Sequence, residues 1–328
     1  MTRPNGHSKI LQKAVLLYRI TSAIVWPGGT NPRARCETLN LLISGLVTGV
    51  LLGGLYAMSA LGLSLVYGVM GLVNLAQGDL MMLAAYLTFS LTMATHMDPL
   101  LALVVVVPAM FVLGWLIQAT LLNRLLRNGA LEAGLVITLG LSLILETILL
   151  QVYSSNGQTF TPGYLSGGFS LLGTRVPATY LLCFGVAVVA TTGVYLFLRR
   201  TSVGRQIRAA SENPAIARLM GIRVDRMYSL TFGLAAALGA IAGVLIGLTF
   251  SFTPTTGAVY LLKGFAVVIL GGLGSIEGTL FAGLALGGIE GLGAAIFGGG
   301  YRDLVTYTIF LIILVAAPTG LLGRRRRA

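Results

Sequence analysis

Residues 41–75, LLISGLVTGVLLGGLYAMSALGLSLVYGVMGLVNL, contain no charged residue. A helix needs about 20 apolar residues to cross a bilayer core, so this stretch reads as two elements, 41–58 and a shorter 60–75. Further apolar runs follow near 78–95, 99–122, 130–151, 179–198, 228–250, 263–274, 277–297 and 304–320. The segments 60–75 and 263–274 are short enough to be half-helices.

Composition agrees. Of the 328 residues, 56% are hydrophobic and 10% charged, with 44 glycines; the mean hydropathy is +0.89. A typical globular chain carries about 25% charged residues, and a water-facing surface cannot be built from so few. The glycines lie inside apolar runs, as in membrane helices that pack through small residues. The expected fold is all-α: a polytopic helical bundle of about 8–10 transmembrane or half-transmembrane helices.

The net charge of +12 does not point to nucleic acid, because of where the charge sits. With ten crossings and the N-terminus in the cytoplasm, every basic residue except Arg175, Lys263 and Arg302 falls on one side. That is the asymmetry that orients membrane proteins, and it predicts that both termini are cytoplasmic. The organisation follows: a basic cytoplasmic extension over 1–38, one transmembrane domain over 39–323, and a basic tail over 324–328. The domain carries an external loop over 152–178, too small for its own core, and a basic inner loop over 199–227.

Several chemistries are missing. There is no Gly-Lys dipeptide, hence no phosphate-binding loop. No His-Glu-x-x-His, Cys-x-x-Cys or Gly-x-Ser-x-Gly occurs, and Cys36, Cys183, His7 and His96 lack metal-ligand spacing. No nucleophile or metal site supports an enzyme. No cofactor is expected on this chain.

The inner loop is the most informative polar segment. Glu212-Asn213-Pro214 resembles a helix start, Ala215 to Met220 give a short amphipathic helix, and Gly221 ends it. Such a helix suits docking into a partner's groove; a solvated basic loop would read the same way. Polar residues inside apolar runs form a second group. Asn74, Gln77 and Asp79 cluster at the first short-to-long junction. Lys263 opens the second short segment, and Glu146 and Glu290 lie deep in later ones. Ionisable groups at membrane depth mark pathways or buried pairs. Asn74, Gln77, Glu146 and Lys263 are the candidate pathway residues. Asp79 and Glu277 fall near expected inner ends, where a helix N-terminus favours an acid. The glycines Gly68, Gly71, Gly271 and Gly274 end the two short segments. They are candidate hinges of a weak internal repeat, a pattern that points to a transport site.

Four blocks, in order, carry a resemblance. Gly68-x-x-Gly71-x-x-Asn74-x-Ala76-x-Gly78-Asp79 is similar to a signature of branched-chain amino acid ABC transporter permeases. Gly204-Arg205 through Ala209, with Ala217-x-Leu219-x-Gly221-Ile222, resembles their cytoplasmic coupling loop. Leu270-Gly271-Gly272-Leu273-Gly274-Ser275-Ile276-x-Gly278 and Pro318-Thr319-Gly320-Leu321-Leu322-Gly323 resemble two further blocks. Gln77 departs from the pattern, standing where many relatives are expected to carry histidine. The resemblance implies a type I ABC importer in the bacterial inner membrane. The chain would pair with a second, homologous permease, two cytoplasmic ABC ATPases that hold ATP and Mg, and a periplasmic solute-binding protein. It further implies an ATPase-coupling role for Arg205, Arg208, Glu212, Ala217, Leu219 and Gly221. The solutes would be branched-chain amino acids or related small molecules. The alternative is an ion-gradient-driven secondary transporter that uses Glu146 and Glu290.

Overall fold

A computed structural model describes residues 32–126, 131–160, 162, 167–171 and 174–316. The extension 1–31, Arg127, and the tail block Pro318 to Gly323 with Arg324 to Arg327 lie outside the described residues.

The first helix, α1, runs Pro32–Met70. The expected break near residue 59 is absent. Ser59 turns its hydroxyl back onto the Tyr56 carbonyl (2.9 Å), which satisfies the polar group within the helix, and no proline interrupts the run. The apolar part, Leu39–Met70, spans 32 residues, about 48 Å at 1.5 Å per residue. This exceeds a ~30 Å bilayer core, and Leu39, Leu41 and Leu46 near its start are exposed.

Next come α2, Gln77–Thr95, and α3, Pro99–Ile117. Asp98 caps α3 by accepting the Leu100 amide (2.8 Å). The helix continues through a π-helical turn, Gln118–Leu122, and a last turn, Asn123–Leu126. Helix α4 is Leu131–Tyr153. A short hairpin, β1 Gly168–Leu171 with β2 Thr174–Pro177, leads into α5, Ala178–Arg200. Two short helices follow, α6 Ser202–Glu212 and α7 Pro214–Leu219. The chain then continues with α8 Val224–Thr249, α9 Thr256–Gly271, α10 Ile276–Phe297, and α11 Arg302–Ala316 after a 3₁₀ turn.

Six of these helices are long and apolar enough to cross a membrane: α1, α3, α4, α5, α8 and α10. Helices α2, α9 and α11 are shorter. Helix α8 is the centre, 83% of its apolar window being buried, against 17% for α4 and α5. The outer faces of α4 and α5 present Val136, Leu143, Ile144 and Val189, as lipid-facing helices do.

Helix α1 touches β2 and α6. It packs antiparallel on α10, with Gly45 against Gly291 and Gly68 against Gly274. The expected elements 41–58 and 60–75 are thus one helix as far as Met70. The hairpin and α6 lie at opposite ends of α5.

Candidate functional site

Two junctions face each other at the C-terminal end of α1. Gly71, with φ of 68°, ends α1. Gly272 and Gly274, with φ of 85° and 82°, make the turn between α9 and α10, where Ser275 caps α10 by accepting the Gly278 amide (3.1 Å). Left-handed backbone is cheap only for glycine. Gly68 backs onto Gly274, and Gly271 onto Gly278, with no room for a Cβ at either. The structure thus brings Gly68, Gly271 and Gly274 into one contact region, with Gly71 as its open corner. Between α1 and α9 lies an apolar cleft lined by Leu63, Tyr67, Val73, Phe265, Val268 and Leu273.

Residues 71–76 do not leave the bundle. They rise back into it, so that α2 starts beside Gly62 of α1 and Ala235 of α8. This places Gln77 and Asn74 deep inside, 0% and 1% exposed. The Asn74 amide donates to Gln77 Oε1 (3.2 Å), and Gln77 Nε2 donates to the Ala235 carbonyl (3.0 Å). Asp79 lies in the first turn of α2, as expected of a helix N-terminal acid, and is buried there, accepting a hydrogen bond from the Ser142 hydroxyl. Glu146, half-buried, lies one turn beyond Ser142 on α4. Glu277 is exposed in the first turn of α10, as expected.

Lys263 sits in a buried cluster of charges. It pairs with Glu290 (3.4 Å) and Asp303 (2.9 Å) and stands over the Tyr56 ring (4.9 Å). Glu290, 1% exposed, also accepts from the Tyr56 hydroxyl (2.8 Å) and the Thr306 hydroxyl (2.9 Å), and Arg302 Nε lies 3.3 Å away. This cluster joins α1, α9, α10 and α11. Removing one partner of a buried ion pair leaves an uncompensated charge. Glu290→Gln is expected to lower stability by about 3 kcal/mol, the low end of that range because Asp303 still faces Lys263. Thermal unfolding in detergent measures it, and Lys263→Gln in the same chain should recover part of the loss.

At the opposite end from the hairpin, α6 and α7 fold as capped units. Thr201 accepts from the Gly204 amide (2.9 Å), while Gly204 sits against the Phe197 carbonyl with no space for a side chain. Asn213 accepts from the Ala215 and Ile216 amides (3.0 and 3.1 Å), Pro214 takes the first helical position, and Gly221, with φ of 81°, stops the helix. Arg205, Arg208 and Glu212 are exposed. Leu219, Met220 and Ile216 are exposed to 87%, 78% and 57%. Ala217 is not among the apolar knobs. It is 3% exposed and turned inward, so it supports the loop from behind.

Two features had no sequence expectation. One is the buried Tyr56–Glu290–Thr306 set. The other is the glycine seam, in which Gly45, Gly49 and Gly53 of α1 interlock with Gly283, Gly287 and Gly291 of α10. Their spacing of four was the available signal, since it places small residues on one helix face.

Residues 45–314 match the family described as branched-chain amino acid transport system / permease component. The chain is 33% identical, over 292 residues, to the Pseudomonas aeruginosa high-affinity branched-chain amino acid transport system permease protein BraD. That match covers 85% of this chain and 95% of BraD. It is 33% identical over 306 residues to the permease protein LivH of Escherichia coli K12, covering 88% and 97% of the two chains. Among solved structures, PsaBC from Streptococcus pneumoniae in complex with Fab aligns with a TM-score of 0.47 at 14% identity, over 87% of this chain and 96% of that one. The family match spans most of the chain, and the glycine junctions at 68–79 and 270–278 lie within it; this polytopic membrane protein belongs to the permease components of branched-chain amino acid transport systems.

Proposed function

We propose that the chain is one membrane half of an ATP-driven importer of branched-chain amino acids. It works with a second, homologous permease, two ATPases docked at α6 and α7, and a solute-binding protein at the hairpin end. The arginine-rich end faces the cytoplasm of an inner membrane. One observation carries the reading: a preformed helix, capped at both ends, presents Ile216, Leu219 and Met220 to solvent, in a chain with no phosphate-binding loop of its own. Bare apolar side chains at that density mark a partner site, and the missing chemistry defines the partner. The apolar cleft beside the glycine junctions suits aliphatic side chains. The buried carboxylate Glu290 is held by Lys263 and Arg302, which leaves the gradient-driven alternative without a free group there.

Reconstitution tests this. The chain alone in liposomes is expected to show no uptake under a proton or sodium gradient. With the partner subunits and loaded binding protein, leucine uptake should require ATP and be competed by isoleucine and valine. Gradient-driven uptake by the chain alone would overturn the proposal.

A further inference from the structure

We propose that Gln77 is a positioning residue whose side-chain amide ties the re-entrant segment 71–76 to α8, so that movement of α8 carries that segment with it. The inference rests on the reading above and concerns how cytoplasmic motion reaches the apolar cleft.

The tie is a built site. Gln77 is 0% exposed. Its Nε2 donates to the Ala235 carbonyl and its Oε1 accepts from Asn74, whose own Oδ1 accepts from the Ala76 amide (3.1 Å). One amide thus joins α8 to both ends of the turn that precedes α2. Gly62 and Gly239 bracket it. A Cβ on Gly239 would stand 2.8 Å from Nε2, and one on Gly62 closer still. Two helices have given up side chains at the spot where the amide sits. In a bundle interior an unpaired amide is costly, so a donor at position 77 is held to the Ala235 carbonyl.

The cytoplasmic end of α8 is fastened to the docking loop. The Ile222 amide donates to the Ala217 carbonyl (3.0 Å), and Arg218 pairs with Asp225 in the first turn of α8 (3.7 Å). Asn123, after the π-helical turn of α3, donates to the Asp225 carbonyl (3.2 Å) and the Ser229 hydroxyl (3.0 Å). From Asp225 to Ala235, α8 is unbroken helix, about 15 Å of rigid shaft. Val73 of the tied segment lines the apolar cleft. A shift of α7 therefore reaches the cleft through one helix and one side chain. Gln77 and Asn74 bond to each other and to backbone.

The test measures imported solute and released phosphate in the same vesicles, using the full complex. Gln77→Leu keeps the bulk and removes the donor. It should lower solute carried per ATP by about tenfold, within the usual span of site-to-site coupling, while the ATPases still co-purify. Gln77→His retains a donor and an acceptor and should keep most of the ratio. Gly239→Ala, which crowds the amide, should lower the ratio in the native chain and add nothing to Gln77→Ala. An unchanged ratio in Gln77→Leu, or equal loss in the His and Leu variants, would sink the proposal. If Gln77→Leu fails to accumulate, the His variant and the Gly239 cycle decide. A native complex without ATP-dependent uptake would count against the functional reading instead.

Discussion

Leu219→Asp combined with Met220→Asp is expected to abolish capture of the ATPase subunits while the permease inserts and folds normally. Both side chains are almost fully exposed, so the free chain loses no packing, and aspartate in water costs it little. The cost falls on the complex, where a carboxylate would be buried in an apolar groove without a partner. Central apolar anchors are worth about 2–4 kcal/mol each when truncated. Each substitution should therefore weaken association by about 30- to 700-fold, and the pair should leave none at micromolar concentration. Ala217→Asp is the instructive contrast. Ala217 faces inward and its carbonyl receives the Ile222 amide, so a charge there should unfold the loop and confuse loss of docking with loss of structure. Glu277 on α10 is exposed, and Glu277→Gln is a fitting control. Affinity capture from detergent measures the result. Full ATPase recovery with the double variant would show that this helix is not the docking element.

How far the sequence foretold this site depends on the range of the interaction. Helix α7 was legible residue by residue, because Asn213, Pro214 and Gly221 act on backbone groups within a few positions of themselves. Which face of α7 points outward was not legible, since six residues carry too little periodicity to separate Ala217 from Leu219. The burial of Gln77 and Asp79 was not legible for a related reason. Hydropathy counts residues along the chain, and the segment 71–76 doubles back. The continuity of α1 was hidden because about 20 residues suffice to span a bilayer core, so a longer apolar run was divided in two; Ser59 is satisfied within the helix and Gly62 makes room for Gln77. Lys263, Glu290 and Arg302 were each visible as ionisable residues in or beside apolar runs. Their meeting at one carboxylate is tertiary, and no local pattern announces it.

The glycine seam between α1 and α10 yields the largest structural effect. Lipid tails are as apolar as leucine, so no hydrophobic force holds two membrane helices together. Close backbone packing does much of that work. Gly287 lies directly against the Gly49 carbonyl and the Gly53 backbone, and Gly291 against the Gly45 carbonyl. Any Cβ there meets backbone atoms, which cannot rotate aside as the end of a side chain can. Gly287→Leu should therefore separate the helices over several turns and pull apart the α1–α10 contacts, including the Tyr56–Glu290 bond and the Gly68–Gly274 junction. The expected result is loss of the monodisperse species in detergent. Gly287→Ala should give a graded loss of about 1–3 kcal/mol, the cost typical of overpacking. Helix propensity pulls the other way, because alanine favours a helix over glycine by about 1 kcal/mol. Controls lie within the same molecule: Gly140 on α4 and Gly185 on α5 have open space where a Cβ would stand. Gly140→Ala and Gly185→Ala should leave the melting temperature unchanged or raise it. Thermal unfolding of the four variants, followed by size-exclusion chromatography, separates the two explanations. If all four behave alike, the glycines act through the unfolded chain or through propensity, and the seam is not what holds α1 to α10.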